Sequence, residues 1–143
     1  MLWNDIVTND DIEALLDLYG GFHDSFVECM EYVSPCSIDE ELGFFKKPEA
    51  DADLLVRFSR QFRNPRVVEL MFGGLIEINF KPTLDVVRHC SIQRHGERLY
   101  WAEAVGFEPS KLPGLGCNWI CASRIQWRRI PDSTVRHPMR MSS

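Results

Sequence analysis

The sequence predicts a mainly β domain of the α+β type: an antiparallel β-meander, curled or folded into a sandwich, preceded by one N-terminal helix. Hydrophobicity alternates with a period of two from Leu54 onward, the signature of half-buried strands. Turn-forming pairs at Asn64-Pro65, Gly73-Gly74 and His95-Gly96 punctuate that alternation. A helical period occurs only near the start of the chain, where Ile12, Leu15, Leu16 and Tyr19 fall on one stripe.

Asp10 is the expected N-cap of that helix, with Glu13 three residues on completing a capping box. Gly20-Gly21 is the stop, because glycine enters the left-handed conformation without strain. Asp11, Glu13 and Asp17 then lie on the solvent face. After Phe22-His23-Asp24 the composition turns to strand over residues 25–33. Ser34 to Ala52 reads as loop, with Pro35, Pro48 and the acidic run Asp39-Glu40-Glu41.

If each turn pair closes a tight hairpin, the registers follow. The first opposes Phe62 to Val67, Arg60 to Glu69 and Phe58 to Met71; the second opposes Met71 to Ile76 and Glu69 to Ile78. The third opposes Ile92 to Leu99, Cys90 to Trp101 and Arg88 to Glu103. These registers place the apolar sets on a common face, which a one-residue slip would not allow. A last strand is expected over residues 118–130, with Trp119, Cys121, Ile125 and Trp127 on one face and Arg124, Gln126 and Arg128 on the other.

The 143 residues suit a single domain, taken as 1–130, with 131–143 as a disordered tail. No signal peptide and no membrane-spanning run is read, so a cytoplasmic location with reduced thiols is expected for the five cysteines. Cys117 and Cys121, four residues apart on a strand, would stand too far from each other for a shared zinc or a disulfide. The net charge of −5 hides an asymmetry. Residues 1–53 carry 14 acids against 2 lysines, and residues 54–143 carry 7 acids against 14 Lys and Arg. Either the halves neutralise each other on folding, or the first third presents an acidic surface to a basic partner.

Candidate chemistry is sparse. Arg60 with Glu69 and Arg88 with Glu103 read as cross-strand ion pairs, or as the lining of a polar pocket if the sheet curls, with Trp101 beside them. His23 and Asp24 could form a base and its orienter, yet neighbours on an extended chain point to opposite faces. No nucleophile, phosphate-loop or metal motif accompanies them, so no catalytic residue, metal or cofactor is assigned. The surface arginines lack the aromatic interleaving of a nucleic-acid site.

The order of landmarks is similar to that of a group of small bacterial proteins, some resembling immunity proteins of polymorphic toxin systems. It runs through a leading Trp-x-x-Ile, Tyr-Gly-Gly-Phe-His-Asp-Ser, Val-Glu-Leu-Met-Phe-Gly-Gly, Leu-Tyr-Trp-Ala-Glu and a closing Trp-Ile-x-Ala-Ser-x-Ile-x-Trp-Arg. The resemblance implies a bacterial cytoplasmic protein that neutralises a toxin. The leading expectation is therefore a non-catalytic binding protein using Asp11, Glu13, Asp17, Glu40 and Glu41 against a basic partner protein, with neither nucleic acid nor membrane as partner. The alternative is a small-molecule-binding β-cup, or an enzyme at that cup, lined by His23, Asp24, Arg60, Glu69, Arg88, Trp101 and Glu103.

Overall fold

In the computed structural model, which describes residues 2–111 and 116–134, one helix accompanies a large antiparallel sheet. The helix, α1, spans Asn9–Leu18 and is capped by Thr8 rather than Asp10. The Thr8 side chain accepts from the Asp11 amide, while one Asp11 carboxylate oxygen accepts from the amides of Val7 and Thr8, each at 2.9 Å. The capping box is present but lies two residues upstream of its expected place, because Thr-Asn-Asp-Asp offers several competent caps in a row. Ile12, Leu15 and Tyr19 are buried as the stripe requires.

The strands in chain order are β1 (Asn4–Asp5), β2 (Phe26–Val33), β3 (Cys36–Ile38), β4 (Phe44–Lys46), β5 (Asp53–Ser59), β6 (Val67–Asn79), β7 (Ser91–His95), β8 (Arg98–Ala102) and β9 (Trp119–Ile130). The main sheet runs β2-β5-β6-β9-β8-β7, and β1 pairs with the C-terminal half of β9. The sheet departs from a simple meander, since β9 returns to sit between β6 and the β7–β8 hairpin. β3 and β4 form a separate two-stranded ribbon within the stretch expected to be loop.

Two of the expected registers are corrected in ways that matter. Between β5 and β6 the last pair is Ser59↔Val67, with Arg57 opposite Glu69 and Phe58 opposite Val68. The connection, residues 60–66, is longer than a two-residue turn and is held from outside by Asp132, which accepts from the Asn64 and Arg66 amides. The slip is odd-numbered, so it exchanges faces on β6: Val68, Leu70 and Phe72 enter the core, and Glu69 leaves it. Between β7 and β8 the pairs are Ile92↔Trp101 and Arg94↔Leu99, an even shift that keeps Ile92, Leu99 and Trp101 inward.

Gly73-Gly74 makes no turn at all. β6 runs through it, paired with β9 at Gly73↔Arg124 and Leu75↔Ala122. Gly74 has φ of +60°, and the inward positions step from Phe72 to Leu75 on β6 and from Ile125 to Ala122 on β9. Both strands therefore bend together and change phase. That bend splits the expected face of β9: Trp119 and Cys121 join Tyr100, Ala102 and Phe107 in a small second cluster, while Ile120, Ala122 and Ile125 stay in the main core.

The main core holds an unbroken aromatic run, with ring centroids 5.0 Å apart for Tyr19–Phe22, 4.9 Å for Phe22–Phe58 and 5.4 Å for Phe58–Trp101. Such edge and tilted contacts each add about 0.5–1.5 kcal/mol beyond area burial and tie the helix end to the sheet. After β9 the chain forms a short 3₁₀ turn, Asp132–Thr134, and the Asp132 carboxylate accepts from the amides of Asn64 and Arg66 in the β5–β6 connection. Residues 135–143 of the expected tail lie outside the described residues.

A Cβ at Gly74 would collide with the Ser123 hydroxyl, and the backbone there is left-handed. Gly74→Ala should destabilise by at least about 1–2 kcal/mol from the conformation alone. Urea unfolding is the measurement, with a lowered midpoint and an unchanged slope as the expected result.

Candidate functional site

The Phe22-His23-Asp24-Ser25 string forms a tight corner between helix and sheet. Gly20, Gly21, Phe22 and Asp24 all have φ near +60°, so the chain reverses sharply before β2. The corner docks the segment leading into β7: the Asp24 amide donates to Val87 O, the Val87 amide to Ser25 O, and the buried Ser25 hydroxyl to Phe22 O. His23 Nδ1 lies 2.8 Å from Arg88 O, and because a carbonyl only accepts, that nitrogen carries the proton. His23 Nε2 then sits 3.4 Å from the Asp24 carboxylate. The expected divergence of these neighbours does not occur, since the left-handed backbone at Asp24 breaks the extended alternation. Both side chains are exposed, and the ring of His89 lies 6.5 Å away.

Beside this corner, the β6–β7 connection and the residues flanking β8 and β9 enclose two adjoining cavities. Asn118 braces them, with its amide group donating to Lys81 O and to Glu103 and its oxygen accepting from the Lys81 amide. The larger cavity, about 520 Å³, is lined by Lys81, Arg88 and His89 together with Asp85 and Glu103. The smaller, about 290 Å³, has Val27, Met30 and Val87 as apolar walls with Glu28, Asp85 and Glu103 around them. Glu103 is shared by both. Burial pushes its carboxyl above the usual range, the Asn118 hydrogen bond pulls the other way, and nearby Asp85 adds to the rise.

The expected pocket residues are thus only partly brought together. Arg88 and Glu103 are not a ladder pair, because β7 begins at Ser91 and β8 ends at Ala102. Arg88 instead reaches Asp85 at 3.5 Å, while still lining the larger cavity with Glu103. Trp101 is sealed in the main core. Arg60 lies over the Tyr19 ring at 4.3 Å and donates to Pro65 O. Neither Trp101 nor Arg60 lines these cavities.

Glu69 has a different fate. Its side chain is 3% exposed, and each oxygen is held by a guanidinium: Arg57 at 3.0 and 3.1 Å, Arg128 at 2.8 Å through both nitrogens. Arg128 in turn stacks on Trp3 at 4.3 Å. A carboxylate so fully matched is a clamp across β5, β6 and β9, with no oxygen left for a ligand.

The acids divide between two places. Glu13 and Asp17 are exposed on α1, whereas Asp11 is bound into the cap, and the Val7 and Thr8 amides hold its carboxyl below the usual range. Glu40 and Glu41 sit at the tip of the β3–β4 ribbon, where Asp39 accepts from the Glu41 and Gly43 amides. That ribbon carries Ile38, Leu42, Phe44 and Phe45 in the open, with Leu42 83% and Phe44 73% exposed. β2, at one end of the strand order, also has exposed Phe26 and Val33 on one face and Tyr32 on the other. The sequence reading missed this surface because each ribbon strand is only three residues long. The pair Cys36-Ser37-Ile38 and Phe44-Phe45-Lys46 around Gly43 was the available signal.

Asp51 and Arg124, 3.7 Å apart, form an ion pair between the two halves of the chain, but the acids of the α1 surface and of the ribbon tip stay solvated. All five cysteines are free; Cys117 precedes β9 and packs against the same small cluster as Cys121. Among the described residues no cluster of His, Cys, Asp and Glu could hold a metal ion, and no helix is long and apolar enough to cross a membrane. No family model matches the chain, and no curated protein or solved structure is detectably similar to it.

Glu69→Ala strands two partly buried arginines and should cost about 3 kcal/mol, read by chemical unfolding. Glu103→Gln should act with the opposite sign. The Glu103 carboxyl titrates higher in the folded than in the unfolded chain, so wild type is penalised once pH rises above its folded value and not below the unfolded one. The stability of the glutamine variant relative to wild type should therefore increase from acid to neutral pH, measured as melting temperature at several pH values.

Proposed function

We propose that the chain is a non-catalytic protein-binding module of immunity type, engaging a basic partner protein through the edge strand β2 and the β3–β4 ribbon. The observation that carries this reading is the run of exposed apolar side chains from Phe26 to Phe45. A two-stranded ribbon is marginal in water without apolar cover, and monomers seldom leave such a surface open without a binding role. The same twenty-residue stretch holds Glu28, Glu31, Asp39, Glu40 and Glu41 against Lys46, the last residue of the ribbon, and Lys47 beyond it, an acidic balance that favours a basic partner over an acidic one. An edge strand also offers unpaired backbone groups to an added strand. Acids on α1 contribute long-range attraction, with Glu13 and Asp17 free to do so and Asp11 committed to the cap.

The test is binding kinetics with the purified product of the adjacent gene, at low and high salt. Leu42 has positive φ, so Leu42→Asn keeps a residue that tolerates that backbone while removing the apolar contact. The pair Leu42→Asn with Phe44→Ser should leave folding unchanged and accelerate dissociation by about tenfold or more. Glu40→Gln with Glu41→Gln should slow association at low salt and matter little at high salt. Rates indifferent to both pairs would remove the reading.

A further inference from the structure

Unlike its neighbour, the smaller cavity has no Lys, Arg or His among the described residues that line it, while Glu28, Glu103 and the Arg88-paired Asp85 supply carboxylates. Its remaining walls are largely apolar, from Val27 and Met30 of β2 and from Val87. An anionic ligand would meet like charge there. A neutral apolar ligand would desolvate Glu28 and Glu103 and leave them without a counter-charge, Asp85 alone being paired, with Arg88. A group with an alkyl stem and a cationic head satisfies both kinds of wall at once.

Size narrows the choice further. At about 290 Å³ the cavity lies at the bottom of the range of small-molecule sites, about 300–1,000 Å³, and so suits a single side chain better than a larger ligand. Within it, Asn118 binds one oxygen of Glu103, and the other has no partner among the described residues. Val27, Glu28 and Met30 belong to β2, the same edge strand that forms part of the apolar surface. We infer that this cavity receives the alkylammonium group of a lysine side chain from the partner protein, an inference that rests on the protein-binding reading above. Pockets that bury an anchor side chain of the partner carry a large share of the binding energy in protein complexes.

The probe is Nα-acetyl-lysine N-methylamide, titrated into the full chain and followed by ¹H–¹⁵N NMR, with the norleucine analogue as the uncharged control. Saturable shifts at the Val27, Met30 and Val87 amides are expected with the lysine compound and absent with norleucine. Glu103→Gln should weaken the lysine response about tenfold, the loss of a charge-assisted contact. Glu28→Gln, which leaves the Asn118 brace untouched, should weaken it in the same direction and covers the case in which the first variant disturbs folding. No saturable shift at tens of millimolar, or an equal response to norleucine, overturns the inference. Tighter binding of 1,4-diaminobutane than of the lysine compound also overturns it, in favour of a free amine ligand. The titration needs no partner, so its failure alongside a binding defect in the ribbon variants removes the lysine anchor alone. A saturable response alongside ribbon variants that bind normally removes the ribbon reading instead.

Discussion

Because β6 and β9 pair along nearly their whole length, from Val67↔Ile130 to Asn79↔Trp119, the other parts of the fold take their positions from that ladder. β5 adds on one side, while β8 and β1 share the opposite edge of β9. The ladder is bent where Gly73-Gly74 faces Ser123-Arg124, and a side chain at either glycine would meet Arg124 or Ser123. That close approach lets the inward set change phase on both strands at once. One long sheet can then cover the main core at one end and present Trp119 and Cys121 to a second, smaller cluster at the other.

The polar chemistry sorts itself by where this sheet leaves it. On the face away from the main core, Glu69 is enclosed by Arg57 and Arg128, so its desolvation is offset by bidentate bonds and it locks three strands together. At the sheet's end, Glu103 is only partly buried and has a single amide donor, so its ionised form is poorly compensated. The contrast is one of coordination. A carboxylate with both oxygens matched is structural, while one with an unmet oxygen in a cavity is available to a ligand.

The surface from Phe26 to Phe45 has neither device. Its apolar groups are uncovered, its acids outnumber the one ribbon lysine, Lys46, and its ribbon pairs only with itself. The His23-Asp24 corner, the other conspicuous feature, is explained by its backbone: it reverses the chain and fixes the segment 85–89 beside β2, thereby shaping the cavities. The apolar surface and the carboxylate-lined cavity share β2, which joins the two proposed contacts on one element.

What the sequence determined by itself was local. The helix stripe Ile12, Leu15 and Tyr19, the glycine stop and the period-two strands follow from side-chain spacing, and so does the inward face of Leu54, Val56 and Phe58. What only the tertiary structure decided was pairing. Whether Gly73-Gly74 turns or continues depends on β9 lying alongside, more than forty residues away. Whether Glu69 meets Arg60 or Arg57 depends on a connection that Asp132 ties down from beyond the last strand. Alternation specifies two faces but not which one is buried or what lies opposite, because a slip of an odd number of residues preserves the pattern while exchanging the faces. The candidate site was less legible still: Glu28, Asp85, Glu103 and Asn118 come from four separate segments, and nothing in local spacing brings them to one cavity.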